Sequence, residues 1–281
     1  MRILVTGAGG YIGRHVIDNL VTQEKADVVA VDFNVDGINP KAERRVLDIF
    51  DKNTDVYAET GKPDIVLHMA WKDGFVHNSD AHMAYLSAHY LFCKKLLDSG
   101  LKHLAVMGSM HEIGYYVGAI DENTPCNPIS QYGVAKDALR RSLLVTLNDI
   151  KYKDAVFQWL RAYYIYGDDK RNNSIFAKLT IAEEEGKATF PFTTGKNKYD
   201  FIHVDELARQ LAASVTQNKV NGIINCCSGV PVSLADKVES FIKDHGFKIK
   251  LDYGVFPDRA YDSPEVWGDN TKIEEIMKGR L

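Results

Sequence analysis

The chain has 281 residues, of which 45% are hydrophobic and 26% charged, and its formal net charge at pH 7 is −4. This composition is typical of a globular protein with a sizeable core, and its charge gives no reason to expect nucleic acid or an anionic membrane as partner. No apolar run approaches the ~18–20 residues of a membrane-spanning helix. The apolar run at the N-terminus is too short for a signal peptide, because Gly7 interrupts it.

Strand-like and helix-like segments alternate, which predicts a parallel sheet covered by helices on both faces. The predicted strands are Arg2–Thr6, Asp27–Asp32, Asp64–Ala70, His103–Ser109, Ala155–Tyr164 and Gly222–Cys227. Helical patterns follow the first glycines and cover residues 82–97, 133–147, 174–186 and 233–245. The expected fold class is α/β, a Rossmann-like doubly wound parallel sheet with a smaller C-terminal substrate lobe. Residues 1–166 form the first part, to which strand 222–227 returns, and residues 167–281 form the lobe.

The four cysteines indicate core thiols rather than a metal site. They have neither C-x-x-C spacing nor histidines at zinc-site intervals. We therefore expect no bound metal and a location in the reducing cytoplasm. The cysteines are Cys93, Cys126, Cys226 and Cys227.

The first predicted strand runs directly into glycines. Gly7, Gly10 and Gly13 follow the apolar run Ile3–Val5, and a helical stripe begins at Ile12. A strand, a glycine-rich turn and a helix N-terminus together offer unpaired N–H groups and a partial positive charge to a pyrophosphate. The same spacing also suits a tight turn before a core helix, so the motif alone does not decide between the two.

Asp32 ends the second predicted strand. A carboxylate there accepts hydrogen bonds from both hydroxyls of an adenosine ribose and repels a 2′-phosphate. No Arg or Lys follows immediately, so we expect NAD rather than NADP as cofactor, although a strand-ending turn also favours aspartate. Asp48 and Ile49 are candidates for the adenine end of the site, where Asp48 equally suits a helix cap.

Tyr132 and Lys136 form a second constellation, because side chains at i and i+4 share one face of a helix. A lysine ammonium favours the phenolate and lowers the pKa of the phenol, and such a tyrosine exchanges a proton with an alcohol or ketone as hydride moves. Most Y-x-x-x-K pairs are exposed helix faces. Ser109 ends a predicted strand at the carboxyl edge of the sheet, where ligands bind. The three residues form a site only if the fold brings them together.

The chain resembles the extended short-chain dehydrogenases/reductases of the NAD-dependent epimerase/dehydratase type, which act on nucleotide sugars. The resemblance covers nearly the whole chain and rests on the order and spacing of short motifs. The motifs are Val5–Gly13, Asp32, His68–Ala70, Gly108–Ser109, Asp121–Glu122 with Pro125, Pro128–Lys136, Leu160–Arg161, Tyr166–Gly167, Asp200–Asp205, Asn225 and Ser228–Gly229.

The resemblance implies a catalytic triad of Ser109, Tyr132 and Lys136, a bound NAD, and a homodimer formed by the helices near 82–97 and 133–147. The residues expected to hold NAD are Gly7, Gly10, Tyr11, Ile12, Gly13, Asp32, Asp48, Ile49, Met69, Ala70, Tyr132, Lys136 and Tyr163. Those expected to contact substrate are Trp71, Met110, His111, Tyr164 and Arg259, with Arg259 at a diphosphate.

Several residues depart from the family pattern where substrate is expected. Met110 and His111 stand where dehydratases of the family carry an acidic pair, so loss of water from the sugar is disfavoured. Trp71 replaces a small residue, and Tyr164 replaces an asparagine. His111 and Glu112 are not expected to act as one acid/base or metal pair, because neighbours at a strand end point apart.

These patterns favour an NAD-dependent oxidoreductase or epimerase that transfers hydride at a sugar carbon, C4 of a nucleotide sugar, with Tyr132 as acid/base. The short C-terminal lobe favours a 4-keto-deoxysugar reductase over a full-size epimerase, while the motifs do not separate epimerisation from net oxidation or reduction. Two alternatives stay open: a dehydrogenase of a small non-nucleotide substrate, and a non-catalytic NAD-binding regulator. Such regulators typically lose the tyrosine or the lysine, and both are present here.

Overall fold

The structure, a computed structural model, describes residues 1–167, 174–258 and 262–280. The strands are β1 (Arg2–Thr6), β2 (Asp27–Asp32), β3 (Glu43–Val46), β4 (Ile65–His68), β5 (His103–Ser109), β6 (Gly118–Ile120), β7 (Val156–Ala162), β8 (Tyr164–Tyr166), β9 (Thr189–Pro191), β10 (Lys198–His203), β11 (Gly222–Cys226), β12 (Pro231–Ser233), β13 (Lys250–Asp252) and β14 (Glu265–Gly268). The helices are α1 (Tyr11–Thr22), α2 (Val56–Glu59), α3 (Ala81–Asp98), α4 (Gln131–Leu147), α5 (Ile175–Glu184), α6 (Val204–Val215), α7 (Leu234–Asp244) and α8 (Thr271–Met277).

Seven strands form one parallel sheet in the order β3-β2-β1-β4-β5-β7-β11. The chain first moves outward from β1 to β3 and then starts again at β4 on the other side of β1. In such a sheet, ligands bind at this switch point, outside the carboxyl ends of the strands. The predicted Rossmann-like α/β class is confirmed, and every predicted strand contributes to this sheet. The strand predicted over Ala155–Tyr164 ends at Ala162, and Tyr164 begins the separate strand β8, which pairs with β10. β3 was not predicted, because its residues Glu43–Val46 are mostly exposed and charged and so lack the apolar run of a buried strand.

Two helical layers cover the main sheet. α1, α6 and α8 pack on one face, around buried residues such as Val16 and Leu211. α3 and α4 pack on the other face, around Phe92 and Leu139. The buried, near-continuous apolar strands between them are typical of a parallel sheet with both faces covered.

A smaller lobe carries the sheet β12-β10-β14-β6, to which β8 adds through β10, and the two-stranded sheet β13-β9. α5 and α7 pack against it around a third hydrophobic cluster that includes Phe176 and Phe241. β11, α6 and α8 follow residue 167 in the chain yet pack with the main sheet, whereas β6 precedes it and joins the smaller sheet. The division into residues 1–166 and 167–281 stays a prediction.

Candidate active site

The glycine-rich turn after β1 lies against the end of β4. Gly7 has a φ of +71°, and a Cβ built on it would lie 2.6 Å from the backbone nitrogen of Ala70. A Cβ on Gly13 would lie 2.3 Å from the Gly7 carbonyl oxygen. Both positions therefore need glycine for the turn to approach β4 and α1 this closely. α1 begins at Tyr11, and Gly10 precedes it without a side-chain cap, which leaves its first N–H groups for a ligand.

Asp32 lies beside this turn, as predicted. Its Oδ2 accepts a hydrogen bond from the Gly9 N–H at 3.0 Å, and its Oδ1 accepts one from the Phe33 N–H at 2.7 Å. The carboxylate borders a cavity of about 580 Å³. The cavity is lined by Gly9, Gly10, Arg14, Asp32, Asn34, Asp36 and Gly37. A glycine turn, a helix N-terminus and a carboxylate around one cavity fit the diphosphate and ribose of NAD.

Arg14 is a lining residue of this cavity that sequence reasoning did not single out. It lies on α1, one residue after Gly13, and its Nη1 would lie 3.7 Å from a Cβ on Gly37. A guanidinium there adds positive charge where an anionic diphosphate would lie. The helical pattern alone gave no signal for it, because an arginine on α1 equally suits a solvent-exposed face.

Two pairs of predicted cofactor residues flank the turn. Tyr11 and Ile12 open α1, and Met69 and Ala70 follow β4, so both pairs lie at the carboxyl edge of the main sheet. The Ala70 N–H donates a hydrogen bond to Thr6 Oγ1 at 3.3 Å, which joins the ends of β1 and β4. The placement agrees with the prediction, and the contacts with NAD stay predictions.

Asp48, Ile49 and Tyr163 are the remaining predicted cofactor residues. The Asp48 Oδ1 accepts a hydrogen bond from the Phe50 N–H at 2.9 Å, so this carboxylate shapes the loop after β3. Ile49 is buried in the core beside α3. Tyr163 is buried in the smaller lobe's hydrophobic cluster, and burial raises the pKa of its phenol well above the usual value. Ile49 and Tyr163 thus offer a ligand little surface, and the roles of all three stay predictions.

The structure brings Ser109, Tyr132 and Lys136 together at the carboxyl edge of the main sheet. Ser109 is the last residue of β5, and the other two lie one turn apart on α4. Lys136 Nζ lies 5.8 Å from the centre of the Tyr132 ring and donates a hydrogen bond to the Met107 carbonyl oxygen at 2.7 Å. α4 therefore turns this pair toward β5 rather than toward solvent, and the predicted residues form one cluster.

Burial sets the protonation states of this cluster. It raises the pKa of the Tyr132 phenol to about 12, and hydrogen bonding by Ser109 opposes this shift. It lowers the pKa of the Lys136 ammonium to about 7, and the Glu112 carboxylate opposes that shift. The expected lowering of the Tyr132 pKa is not met by the protein alone, because desolvation of the phenolate outweighs the favourable contacts.

Glu112 is a buried acid that sequence reasoning did not assign to the site. Its side chain has no exposed surface, and its Oε1 accepts hydrogen bonds from the Ser109 N–H at 2.6 Å and the Trp159 indole N–H at 2.8 Å. Arg140 and Arg161 place nitrogens 3.6 and 3.5 Å from its Oε2. The carboxylate thereby fixes the turn that carries the Ser109 hydroxyl. The S-x-x-E spacing of a capping box is the sequence signal that could have revealed it.

The loop between β4 and α3 surrounds Tyr132 with aromatic side chains. The His77 ring stacks on the Tyr132 ring with centroids 5.4 Å apart, and the His77 carbonyl oxygen accepts a hydrogen bond from the Tyr132 N–H at 2.9 Å. Trp71 lies 6.1 Å from Tyr132, and its indole N–H donates to His82 Nδ1 at 3.0 Å. Sequence reasoning singled out Trp71 and missed both histidines. His77 lies in a loop, which has no hydrophobic period, and His82 lies in the first turn of α3, where the period does not show that it meets Tyr132.

The predicted substrate residues fall into three groups. The His111 ring lies 6.0 Å from the Tyr132 ring and 6.4 Å from the Tyr164 ring, so both predicted residues lie near the triad. Met110 is 5% exposed and packs in the smaller lobe's core, where it offers a substrate little surface. Arg259 lies outside the described residues. The substrate contacts stay predictions.

His111 and Glu112 lie in different surroundings, as expected: His111 lies beside Tyr132, whereas Glu112 is bound by Trp159 and two arginines.

Within residues 1–167, 174–258 and 262–280, no group of three or more His, Cys, Asp or Glu could hold a metal ion. In the same ranges, no helix combines the length and the apolarity that a membrane span requires.

Comparison with known proteins agrees with this geometry. Residues 3–227 match the family described as the NAD dependent epimerase/dehydratase family. The chain is 42% identical over 274 residues to a dTDP-6-deoxy-L-talose 4-dehydrogenase (NAD(+)) of Aggregatibacter actinomycetemcomitans, and the alignment covers 95% of this chain and 99% of that protein.

Two solved structures share the fold. UDP-glucuronic acid 4-epimerase from Bacillus cereus, in complex with UDP-glucuronic acid and NAD, has a TM-score of 0.81 at 23% identity, over 99% of this chain and 93% of that one. UDP-N-acetylglucosamine 4-epimerase from Methanobrevibacter ruminantium, in complex with UDP-N-acetylmuramic acid, has a TM-score of 0.82 at 19% identity, over 98% and 91%. With its glycine turn, Asp32 cavity and matched sequence, the chain is an NAD-using enzyme that belongs to the NAD-dependent epimerase/dehydratase family.

Proposed function

We propose that the protein is an NAD-dependent 4-dehydrogenase of a nucleotide-linked 6-deoxyhexose, exchanging hydride with C4 of the sugar. The observation that carries this proposal is the cluster of Ser109, Tyr132 and Lys136 at the sheet edge that also carries the glycine turn. The Aggregatibacter relative, which aligns over nearly its full length, is named for the 4-dehydrogenation of a dTDP-linked 6-deoxyhexose. Its name supports both the reacting carbon and the dTDP-linked sugar as substrate.

Tyr132 moves the proton in this proposal. It accepts the proton of the C4 hydroxyl as the C4 hydrogen leaves as hydride, so the alcohol becomes a ketone, and it returns the proton when the ketone is reduced. Ser109 donates a hydrogen bond to the reacting oxygen. NAD, when bound, supplies the hydride acceptor, and the positive charge of its oxidised form favours the phenolate.

Lys136 is proposed to hold the nicotinamide ribose and to stabilise the Tyr132 phenolate. Its ammonium nitrogen lies 3.8 Å from the centre of the Trp71 ring, whose face favours the charged form against the effect of burial. A lysine with a pKa of about 7 is half protonated at neutral pH, and an anionic phenolate beside it raises the charged fraction.

Turnover of nucleotide sugars with NAD tests this proposal. The protein is supplied with dTDP-, UDP-, GDP- and CDP-linked 6-deoxyhexoses and NAD, NADH absorbance is followed, and the sugar products are identified by NMR. We expect NADH and a 4-keto sugar from the dTDP-linked substrate. Inverted C4 without net NADH would make the protein a 4-epimerase instead. If no nucleotide sugar is turned over or raises the melting temperature, the proposal fails.

We also propose that the lobe formed mainly by residues 167–281 binds the nucleotide part of the substrate, while residues 1–166 bind NAD. Tyr164 supports this arrangement, because it begins β8 of the smaller lobe and its ring lies 6.4 Å from His111 beside the triad. A nucleotide sugar that reaches C4 into the triad would therefore extend toward this lobe.

A cytoplasmic homodimer completes the proposal. The described cysteines are all free, which suits a reducing compartment. α3 and α4 pack side by side, and both expose large apolar side chains that a second copy of the chain could cover. The exposed apolar residues on these two helices are Met83, Tyr85, Leu91, Val134, Leu144 and Val145.

A further inference from the structure

We propose that His77 and His111 form a hydrogen-bonding pair that binds the C3 hydroxyl of the sugar. This inference rests on the proposed 4-dehydrogenase function. In a 6-deoxyhexopyranose, C5 carries the ring oxygen and the methyl group, so C3 is the neighbour of C4 that bears a hydroxyl. That hydroxyl lies within hydrogen-bond length of the reacting C4 oxygen, and a side chain next to Tyr132 therefore reaches it.

The two imidazoles lie side by side next to the Tyr132 phenol. Their ring centres are 4.3 Å apart, and they lie 5.4 and 6.0 Å from the Tyr132 ring. His77 is positioned by its carbonyl oxygen, which accepts from the Tyr132 N–H at 2.9 Å. His111 is positioned by its own N–H, which donates to Ser109 Oγ at 3.3 Å. The backbones that orient the catalytic groups thus also orient the pair.

The ring nitrogens distinguish this pair from the other histidines near the site. Thr6 Oγ1 lies 2.7 Å from His68 Nδ1, and His68 Nε2 lies 2.8 Å from His89 Nδ1. His82 accepts from the Trp71 indole through one nitrogen and lies 2.9 Å from the Val76 carbonyl oxygen through the other. Such contacts give those three rings a structural role.

His77 and His111, by contrast, make no ring hydrogen bond within the parts of the chain that the structure describes. Both are nevertheless partly buried. Because each ring keeps some exposed surface, its nitrogens are available to a hydroxyl of a ligand that enters beside Tyr132.

The charge state of the pair selects the ligand. Burial lowers the pKa of His111 to about 3 and also lowers that of His77, so both rings are neutral at pH 7. Each neutral imidazole has one N–H donor and one acceptor nitrogen. A hydroxyl is both donor and acceptor, so one ring donates a hydrogen bond to its oxygen while the other accepts a hydrogen bond from its O–H. Two neutral rings offer a phosphate no charge, which favours the sugar over the diphosphate as the occupant.

Paired substrates test the inference. Wild type, His77→Ala, His111→Ala and the double variant are assayed with the dTDP-6-deoxyhexose and with its 3-deoxy analogue. We expect each single substitution to lower kcat/KM for the full substrate by about 3- to 10-fold, the scale of one neutral hydrogen bond. With the 3-deoxy analogue, wild type and variants should turn over at similar rates. NADH affinity should stay unchanged, and His111→Asn, which keeps a donor and an acceptor, should recover part of the loss.

His245→Ala, at the C-terminal end of α7, is the control for losing an imidazole away from the site. An equal loss with both substrates would show that the rings act on the fold, and the inference would be wrong. Where a variant fails to fold, wild type alone decides: full activity on the 3-deoxy analogue overturns the inference. If wild type turns over the full substrate, the proposed function stands, and the variants then test the histidine pair alone. If wild type is inactive on every nucleotide sugar, the proposed function and the role of the histidine pair are both wrong.

Discussion

The ammonium nitrogen of Lys136 lies 3.8 Å from the centre of the Trp71 indole ring. It also donates a hydrogen bond to the Met107 carbonyl oxygen at 2.7 Å, and the residue is 2% exposed. The ring and the carbonyl favour the charged amine, whereas burial disfavours it more strongly and lowers its pKa to about 7. The charge of this site therefore changes near neutral pH.

Lys136→Met should change how stability depends on pH. The lysine pKa is about 7 in the folded protein and near 10.5 in the unfolded chain, so between these values the unfolded state binds one more proton. Wild type thus gains stability as pH rises through this window, and the variant lacks that gain. Urea unfolding should show the difference in the free energy of unfolding, wild type minus variant, growing by on the order of 1–4 kcal/mol.

Lys102→Met is the matched control, because Lys102 is an exposed lysine just before β5. It separates the loss of a surface amine from the loss of the buried one. A wild-type-minus-Lys136→Met difference that stays constant across the window would show that Lys136 keeps an ordinary pKa in the folded protein.

Tyr132→Phe should lower kcat by about 10²–10⁴-fold, because it removes the hydroxyl that carries the proton. The ring remains, so its stacking with His77 and the affinity for NADH should stay nearly unchanged. Steady-state assays and NADH fluorescence titration measure the two effects. Tyr90→Phe removes a hydroxyl that bonds Thr146 Oγ1 between α3 and α4, and it serves as control. Retained turnover in Tyr132→Phe would exclude Tyr132 as the acid/base.

Sequence reasoning succeeded where a local signal exists. The apolar run Ile3–Val5 predicts a buried strand, and a Cβ on Gly13 would meet the carbonyl oxygens of Gly7 and Ala8 in the same turn. The contact that requires Gly7 comes instead from Ala70, after β4. Strand ends and helix faces make Ser109, Tyr132 and Lys136 candidates, and the resemblance to the epimerase/dehydratase family joins them into one expected triad.

His77 shows where such signals end. It meets Tyr132 through a ring stack and a backbone hydrogen bond between a loop and α4, and neither partner's neighbours in sequence encode that contact. The pKa of Tyr132 likewise depends on burial, and the rings that surround it belong to other parts of the chain: Trp71, His77, His82 and His111. Motif spacing indicates which groups lie near each other, but it does not indicate how far the fold buries them from solvent, and burial sets their pKa values.

Asp32→Asn should weaken the preference for NADH over NADPH. The carboxylate repels a 2′-phosphate, whereas an amide oxygen still accepts from the Gly9 N–H and keeps the turn intact. Because Arg14 lines the same cavity, we expect NADPH affinity to rise about tenfold, or about 1.4 kcal/mol. Fluorescence titration measures both affinities, with Asp36→Asn as control on the same cavity. Tighter binding of NADPH than NADH by wild type would contradict the role of Asp32.

His68 and His89 should make the protein sensitive to acid. Burial lowers their pKa values to about 3 and about 2, from an ordinary 6.5. As pH falls below 6.5, the unfolded chain binds protons that the folded protein does not, so stability falls, by about 2 kcal/mol per imidazole at about pH 5. Thermal melts should therefore show a smaller loss on acidification for His89→Gln than for wild type. Identical acid losses would contradict the neutral buried pair.

Leu91→Asp combined with Val145→Asp should convert the proposed dimer into a monomer. The two residues are 56% and 72% exposed in the single chain, and they adjoin Tyr90 and Thr146, whose hydroxyls join α3 to α4. Exposed positions tolerate such changes within about 0.5 kcal/mol each, so folding should survive. Carboxylates at the centre of an apolar interface would be left without solvent or partner, which costs association far more.

Sedimentation velocity should show a dimer for wild type and a monomer for the double variant. Val230→Asp, which changes an exposed position on the smaller lobe, is the control and should remain a dimer. A wild type that sediments as a monomer would show that there is no dimer interface. A double variant that remains a dimer would show that the interface lies elsewhere.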